Sequence, residues 1–274
     1  MMARPVPKGR SDVTQPVLHH RLPADDKEIS LTFGKGLSVM MAFEGARADL
    51  TIGEISEKIG LNRAVARRLV RTLEQLGFVV QDRGRYRLTP RVLGLTRGFM
   101  ETHSIPRVVQ PVLRAASIEI GESVSFAMRD GEEAVYVAHA FVPSRFTLNM
   151  VTVGSSAPLL PTAVGRVILA FLPQAQLDQI LQQAEQVRYT DQTQTDPAVL
   201  RAQLREVSLR GFAWLQSEYV EGVASLAVPV FDPQRRIIGA VSIIFPSGHY
   251  PATQVETEFV RHLQHCAEAV GSVF

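Results

Sequence analysis

The sequence of 274 residues contains only one cysteine, Cys266, and no apolar run long enough to span a bilayer. A single cysteine excludes an intramolecular disulfide and a zinc site built from several cysteines. The first thirty residues also lack the apolar segment of a signal peptide. We therefore expect a soluble, cytoplasmic protein with no membrane partner. The 46% of hydrophobic residues can supply a core, and the length suggests two domains.

Charge is distributed unevenly, although the net charge of the chain is only +2. Residues 30–100 carry a net charge of +6, whereas residues 101–274 carry −5. Such asymmetry indicates that the first part meets a polyanion while the second does different work. Residues 1–29 are rich in proline and charge and show no periodicity, so we expect a flexible arm.

Helix signals after this arm predict three short helices. A first amphipathic helix is expected around Leu37–Phe43. Thr51 and Glu54 have the spacing of a capping box that opens a second helix. Asn62 is expected to cap a third helix that runs to about Leu76. A glycine follows each of the two later helices, as is common at helix ends.

A β-hairpin is predicted after the third helix. Phe78–Val80 and Arg85–Leu88 flank a polar turn that contains Gly84. In the second run Arg85 and Arg87 alternate with apolar residues, so the strand can bury one side and present its arginines outward. Three helices and a hairpin in this order predict a winged helix-turn-helix domain.

The third helix carries a stripe of arginines opposite an apolar face. Arg63, Arg67 and Arg71 recur every four residues, and Arg68 lies on the shoulder of the stripe. The expected apolar face contains Val65, Leu69, Leu73 and Leu76. Guanidinium groups suit both phosphate oxygens and the major-groove edge of guanine. A solvated basic helix is the simpler alternative, but the position before a basic hairpin favours DNA binding.

The remaining residues predict an α+β architecture with a largely antiparallel sheet. Thr89-Pro90 opens a further helix whose pattern is lost near His103. Helices are expected over residues 107–120, 162–172, 174–186, 197–210 and from about 253 to the end. Strands are expected over residues 123–128, 134–141, 146–153, 212–216, 224–230 and 237–245.

Signatures of catalysis are missing from the sequence. There is no Gly-x-Ser-x-Gly nucleophile elbow, and Gly34-Lys35-Gly36 is only a fragment of a nucleotide-binding loop. His262 and His265 lie one turn apart without a third nearby ligand, so exposed histidines are favoured over a metal site. Two hypotheses remain: a ligand-responsive DNA-binding regulator, and an enzyme or metabolite-binding domain tethered to a DNA-binding module. We favour the first, and predict no enzyme activity, cofactor or metal.

Several segments resemble, in order, the IclR family. In the DNA-binding region they are Leu61-Asn62-Arg63-Ala64-Val65-Ala66-Arg67-Arg68-Leu69, Thr72-Leu73-Glu74-Gln75-Leu76-Gly77-Phe78 and Gly84-Arg85-Tyr86-Arg87-Leu88-Thr89-Pro90. Further on they are Val153-Gly154-Ser155, Gly165-Arg166-Val167-Ile168-Leu169-Ala170 and Glu221-Gly222-Val223-Ala224-Ser225-Leu226-Ala227-Val228-Pro229-Val230. The match runs from about Gly34 to the C-terminus.

The resemblance implies a bacterial transcriptional regulator with a winged helix, a linker helix and a GAF-like domain that binds a small organic acid. It also implies a dimer, or a dimer of dimers, on palindromic operator DNA. The residues around Tyr86–Leu93 and Ser225–Val230 are most similar to the branch that controls aromatic-acid and β-ketoadipate catabolism. The expected domains are a flexible arm (1–29), a DNA-binding domain (30–89), a linker helix (90–104) and an effector-binding domain (105–274).

Site residues follow from the matched motifs. DNA contacts are expected from Asn62, Arg63, Arg67, Arg68, Arg71, Arg85 and Arg87. The effector pocket implied by the resemblance contains Phe146, Asn149, Thr162, Ala163, Val164, Leu215, Val223, Ser225, Ser242 and Ile244. Residues 162–164 precede a helix, whose N-terminal N–H groups can hold a carboxylate.

Two departures from the family pattern bear on the ligand. Leu215 and Ile244 stand where glyoxylate- or pyruvate-binding members carry an acidic residue and a second serine. We therefore expect a more apolar pocket, suited to an aromatic or longer aliphatic acid. Arginines common in the aromatic-acid branch are replaced by Ser156 and Ala224, so the charge that faces the carboxylate would come from Arg145 or Arg166. For Arg166, a structural role in its helix is the alternative.

Overall fold

The computed structural model describes residues 26, 28–44, 49–143, 151–183 and 187–274. It contains two compact units that divide between Gly98 and Phe99. The expected arm over residues 1–29 lies almost wholly outside the described residues. Each unit has a hydrophobic core of its own, as the two-domain expectation requires.

Three helices open the first unit: α1 (Leu31–Met41), α2 (Ile52–Lys58) and α3 (Arg63–Gln75). Local capping explains their starts, because the side chains of Ser30, Thr51 and Asn62 each accept a hydrogen bond from a backbone N–H of the first turn. Thr51 and Glu54 complete the expected capping box. The first helix begins earlier than predicted because Ser30 supplies a cap.

The predicted hairpin is present as β1 (Val79–Asp82) and β2 (Arg85–Leu88), which pair antiparallel. Arg83 and Gly84 form the two-residue turn between them, with φ values of 46° and 81°. Positive φ at both positions is the requirement of a type I′ turn, which matches the twist of the strands. We call β1, β2 and this turn the wing.

A short extended segment before α2 fastens the wing to the rest of its unit. The Leu50 N–H donates to the Tyr86 carbonyl at 2.8 Å, and the Tyr86 N–H donates to the Leu50 carbonyl at 2.7 Å. Tyr86 and Val79 are buried with Leu50, Ile55 and the inner face of α3. The winged helix-turn-helix prediction is confirmed.

The helix expected after the wing is α4 (Leu93–Thr102), which follows a 3₁₀ turn capped by Thr89. It ends close to the predicted place. Ser104 adopts a left-handed conformation with φ of 51°, and a π-helical turn over Ile105–Val109 then leads into α5 (Gln110–Ile120).

A six-stranded sheet forms the centre of the second unit. Its strands are β3 (Val124–Asp130), β4 (Glu133–Ala140), β5 (Ser156–Pro158), β6 (Ala213–Gln216), β7 (Val223–Phe231) and β8 (Ile237–Pro246). The order across the sheet is β5-β4-β3-β8-β7-β6, and every neighbouring pair is antiparallel. The α+β prediction with an antiparallel sheet is therefore confirmed.

Helices cover both faces of this sheet. They are α6 (Ala163–Ala170), α7 (Gln174–Gln183), α8 (Pro197–Arg210), α9 (Ala252–Gln254) and α10 (Val260–Gly271), in addition to α5. Leu113 of α5 and Leu263 of α10 share a core with Phe126 on one face. The helices α6, α7 and α8 pack on the opposite face, whose strands contribute small residues such as Ala127 and Ala240.

The strand predicted over residues 146–153 is wrong for the residues that the structure describes. Residues 146–150 of the expected strand 146–153 lie outside the described residues, and residues 151–153 do not form a strand. The third strand of this region is instead β5, which pairs with the start of β4. A three-residue strand flanked by turns is too short to produce an alternating pattern, so the sequence did not reveal it.

Candidate nucleic-acid interface and ligand cavity

The exposed face of α3 forms a shallow basic groove. It is lined by Ala64, Arg67, Arg68, Arg71, Thr72 and Gln75. Three of the expected arginines therefore share one surface, with long donors placed beside a small residue near the helix start. The sequence interpretation missed Thr72 and Gln75, although both have the helical spacing that continues this face.

The opposite face of α3 packs inward as expected, but it is rotated from the predicted position. Leu69 and Leu73 are buried as predicted, and Ala66 and Val70 complete the face. Leu76 was expected to be buried, yet it follows the last helical residue and remains 52% exposed. With Ala66 and Val70 on the buried face, Arg67 and Arg68 both lie on the exposed side and line the groove.

Two other expected DNA contacts, Asn62 and Arg63, do not line this groove. Asn62 uses its Oδ1 atom to accept the Val65 N–H at 2.9 Å, so this oxygen serves as the helix cap. The Arg63 guanidinium lies over Gly53 in the first turn of α2, where a Cβ on that glycine would be 3.5 Å from it. Arg63 therefore extends the basic surface toward α2 and does not line the groove of α3.

On the wing, Arg87 is exposed whereas Arg85 is bound within its own unit. The Nε atom of Arg85 lies 3.2 Å from the Asp49 carboxylate, and its Nη2 atom lies 3.1 Å from Glu54 Oε2. Hydrogen bonds from Thr51, with Arg85 adding to them, lower the pKa of Glu54 to about 2. The Glu54 carboxylate is therefore charged at neutral pH, as its ion pair with Arg85 requires.

A cavity of about 220 Å³ lies in the second unit between the sheet and the start of α6. Eight of the ten expected effector residues line it: Thr162, Ala163, Val164, Leu215, Val223, Ser225, Ser242 and Ile244. The other two, Phe146 and Asn149, lie outside the described residues, as does Arg145. Residues from three separate parts of the chain therefore meet at one place.

The first turn of α6 borders this cavity and contains backbone N–H groups that no described residue accepts. Thr162 caps the helix by accepting the Gly165 N–H at 3.2 Å, and its own hydroxyl donates to the Pro158 carbonyl at 2.7 Å. The N–H groups of Ala163 and Val164 have no acceptor in the part of the chain that the structure describes. Free N–H groups at a helix start favour an anion.

Two hydroxyl groups on the sheet side of the cavity have no hydrogen-bond partner among the described residues. The first is the buried Ser242 hydroxyl, and its burial is costly unless a bound molecule or water satisfies it. The Tyr136 hydroxyl likewise has no hydrogen-bond partner among the described residues. Burial raises the pKa of Tyr136, and nearby Tyr219 adds to this, so the phenol remains a donor at neutral pH.

Arg166 does not supply the charge that would face a ligand carboxylate. Its side chain is 1% exposed, and Nη2 donates to Glu218 Oε2 at 2.7 Å. Nη1 donates to Gln203 at 2.7 Å, and Nε donates to the Leu160 carbonyl. Burial lowers the pKa of Arg166, and the Glu218 carboxylate opposes this effect. The structural alternative for Arg166 is therefore the correct one.

Eight further residues line the cavity and were not among the expected effector contacts. These are Tyr136, Val151, Ser156, Ala157, Pro161, Glu218, Tyr219 and Val220. Pro161 adjoins a matched motif and could have been included. The others come from β4, from the segment before β5, from β5 itself and from the loop after β6. Apart from Ser156, where the family pattern suggested an arginine, no sequence signal indicated that they lie near α6.

Histidines occupy structural positions. His139 shares a hydrogen bond of 2.9 Å with the Ser125 hydroxyl, and His262 pairs with Glu119 at 3.0 Å. Among the described residues, no cluster of three or more His, Cys, Asp or Glu side chains could hold a metal ion. No helix within the described ranges is long and apolar enough to cross a membrane.

Family models match both units of the chain. The IclR helix-turn-helix domain matches residues 33–83, and the C-terminal domain of the bacterial transcriptional regulator IclR matches residues 98–272. Both describe transcriptional regulators, so the regulator hypothesis is confirmed over the tethered enzyme.

Individual proteins are similar over most of the chain. The Pca regulon regulatory protein of Pseudomonas putida is 28% identical over 235 residues, which are 86% of this chain and 81% of that protein. The p-hydroxybenzoate hydroxylase transcriptional activator of Acinetobacter baylyi is 27% identical over 212 residues, which are 76% and 78% of the two chains. A crystal structure from Rhodococcus sp. RHA1, proposed to be a transcriptional regulator, superposes with a TM-score of 0.78 at 31% identity, covering 89% of this chain and 98% of that one. Because the C-terminal model alone spans more than half of the sequence, the chain belongs to the IclR family of bacterial transcriptional regulators.

Proposed function

We propose that the protein binds operator DNA through residues 30–89 and senses a small carboxylic acid, aromatic or dicarboxylic, in residues 105–274. A bacterial protein that binds operator DNA acts in the cytoplasm, where the chromosome lies. DNA contacts come from Asn62, Arg63, Arg67, Arg68, Arg71 and Arg87. The first two extend the surface at the start of α3, and the next three line its groove.

The Ser242 hydroxyl in the cavity, which no described residue hydrogen-bonds, carries the effector proposal. A buried hydroxyl without a partner destabilises the empty protein, whereas a ligand that accepts or donates a hydrogen bond there removes this cost. The free N–H groups of Ala163 and Val164 lie on the same cavity and suit the carboxylate of that ligand. Few polar groups in an otherwise apolar lining are typical of a small-molecule site.

The apolar lining supports an acid larger than glyoxylate. Leu215, Val223 and Ile244 can cover an aromatic ring or an aliphatic chain. A cavity of about 220 Å³ leaves most of its volume unfilled around a two-carbon acid. Similarity to an activator named for p-hydroxybenzoate hydroxylase supports an aromatic acid in particular.

We also propose that the protein is a dimer, or a dimer of dimers, on a palindromic site. Two winged helices related by twofold symmetry can read two half-sites, whereas one has a small footprint. Leu95 and Phe99 on α4 are exposed at 59% and 41%, which is unfavourable for an isolated helix in water. Met100, which is also on α4, packs instead against the core of the second unit.

The effector proposal is tested by calorimetry of the full chain with benzoate, 4-hydroxybenzoate, adipate and glyoxylate. At least one of the three larger acids is expected to bind more tightly than glyoxylate. Ser242→Ala should weaken binding of that acid by about 5- to 100-fold, since leaving a buried polar group of the ligand without its partner costs roughly 1–3 kcal/mol. The same change should leave the stability of the empty protein equal or higher, because it removes an unsatisfied group.

Ser247→Ala is the matched control, since the Ser247 hydroxyl is also buried with no hydrogen-bond partner among the described residues but does not line the cavity. This variant should bind the acid like the wild type. Ala163→Trp, which fills the cavity, should abolish acid binding while operator binding persists. Equal acid binding by wild type, Ser242→Ala and Ala163→Trp would move the site elsewhere, and a preference for glyoxylate would contradict the apolar-pocket interpretation.

A further inference from the structure

The wing carries three arginines with different surroundings: Arg83 at the turn, and Arg85 and Arg87 on β2. Arg83 and Arg87 are exposed and make no ion pair or hydrogen bond through their side chains with any residue that the structure describes. Arg85, by contrast, contacts two carboxylates and a backbone carbonyl. The three arginines are therefore not equivalent cations.

The Arg85 contacts join the wing to the segment that opens α2. Its guanidinium reaches Asp49 at 3.2 Å and Glu54 at 3.1 Å, and donates to the Asp49 carbonyl at 3.3 Å. The backbone pairing of Leu50 with Tyr86 lies directly beside these contacts. An isolated two-stranded ribbon is marginally stable in water, so such fastening holds the wing in one orientation.

Charge also argues against Arg85 as a phosphate contact. Turning its guanidinium toward DNA would break its ion pairs with both Asp49 and Glu54. Those carboxylates would then face the phosphates as like charges, which is unfavourable. Arg83 and Arg87 can approach a phosphate without breaking any such pair.

Arg83 is placed at the tip of the wing by a rigid turn. The two-residue type I′ turn holds Arg83 at φ of 46°, a conformation that an arginine adopts at a cost. Asparagine is the residue most favoured at this position before glycine. An arginine there sacrifices turn stability for a projecting positive charge, which points to a role for that charge.

We propose that Arg83 and Arg87 are the DNA contacts of the wing, and that Arg85 is a positioning residue that holds the wing through Asp49 and Glu54. This inference rests on the proposed DNA-binding function of residues 30–89. It replaces the sequence-based expectation that Arg85 contacts DNA, and it adds Arg83, which that expectation omitted. The contacted group is the phosphate backbone, which orients a protein without specifying sequence.

The experiment measures how the affinity of the full chain depends on salt, using a duplex that the wild type selects from a random-sequence pool. Each phosphate contact contributes about 0.9 to the slope of log affinity against log salt. Arg83→Asn removes the charge and keeps a favourable turn, so the slope should fall by about one while the melting temperature is unchanged or higher. Arg87→Gln should also lower the slope by about one.

A double-mutant comparison then isolates Arg85. Arg85→Gln should weaken DNA binding in the wild-type wing, because Arg83 and Arg87 lose their fixed position. In the Arg83→Asn/Arg87→Gln background it should have no further effect, since no wing contact remains to be positioned. Hydrogen exchange at the Tyr86 amide should accelerate in Arg85→Gln and not in Arg83→Asn.

Three results would overturn the proposal. An unchanged slope in Arg83→Asn would remove Arg83 as a contact. A further loss of about one in slope on adding Arg85→Gln to the double variant would make Arg85 a contact itself. Equal weakening by Arg85→Gln in both backgrounds, with no change in slope, would reduce it to a general stabiliser. Failure of the wild type to select any duplex would instead contradict the DNA-binding function on which the inference rests.

Discussion

Arg166 and Glu218 show how a charge can be buried next to a ligand cavity without being available to the ligand. The guanidinium has three acceptors: Glu218, Gln203 and the Leu160 carbonyl. Glu218 in turn accepts the Gln194 N–H at 3.2 Å and lines the cavity. The pair thus joins α6, α8 and the loop after β6, and fixes one wall of the cavity.

We expect Arg166→Met to destabilise the second unit by roughly 3–5 kcal/mol, because it leaves the largely buried Glu218 carboxylate without its partner. Arg201→Met is the matched control, since Arg201 pairs with Asp178 at the surface. Loss of that exposed pair should cost about 0–1 kcal/mol. Urea unfolding of both full-length variants measures the free energy of unfolding. Equal decreases in the two variants would show that the buried ion pair stabilises the protein no more than the exposed one.

The helix α6 can form the end of the cavity only because Gly165 lets it approach the preceding loop. A Cβ at this position would overlap the backbone of Leu159, including its carbonyl oxygen. The Thr162 cap and the free N–H groups of the first turn depend on that close approach. The glycine is therefore required by packing between a helix and a loop, and not by its own backbone angles.

Gly165→Ala is expected to cost roughly 1–3 kcal/mol or more through overpacking, and to weaken acid binding as α6 shifts. Gly36→Ala in α1 is the contrasting control, because an added Cβ there meets nothing within 4 Å. In a helix interior that change should stabilise by about 0.5–1 kcal/mol. Chemical denaturation and calorimetry of the two variants test this, and a neutral Gly165→Ala would contradict the packing interpretation.

Over the whole chain, the DNA-binding region and the effector-binding region carry net charges of opposite sign. The net charge of +6 over residues 30–100 suits a polyanion, while the net −5 over residues 101–274 leaves anion binding to local groups such as the start of α6. Regional charge attracts DNA over a Debye length, whereas a small acid in a cavity responds to dipoles within a few ångströms. The two binding functions can thus coexist in one chain.

Sedimentation at micromolar concentration should show at least a dimer, as proposed from the exposed apolar residues of α4. Leu95→Lys should shift the protein toward monomer without unfolding it, because Leu95 is exposed within its own chain. Leu209→Lys on α8, at an even more exposed leucine, should leave the assembly unchanged. A wild-type monomer, with or without DNA, would count against the dimer.

Local chemistry explains what could be predicted from the sequence. Caps at Thr51, Asn62 and Thr162 act over three residues, and the periods of helices and strands act over a few more. The winged helix, the order of helices and most strands follow from such short-range patterns. The cavity residues around Ser225 and Ser242 were reached by resemblance to family motifs and not by periodicity.

Contacts between distant residues required the folded chain. Arg85 meets Asp49 across 36 positions and Arg166 meets Glu218 across 52, and both pairs changed the role expected of the arginine. Tyr136 reaches the cavity only because β4 lies in the same sheet as β7 and β8. An arginine in a sequence can pair inward or project outward, and only the carboxylates that folding brings near it determine which, since ion pairing acts over a few ångströms in space.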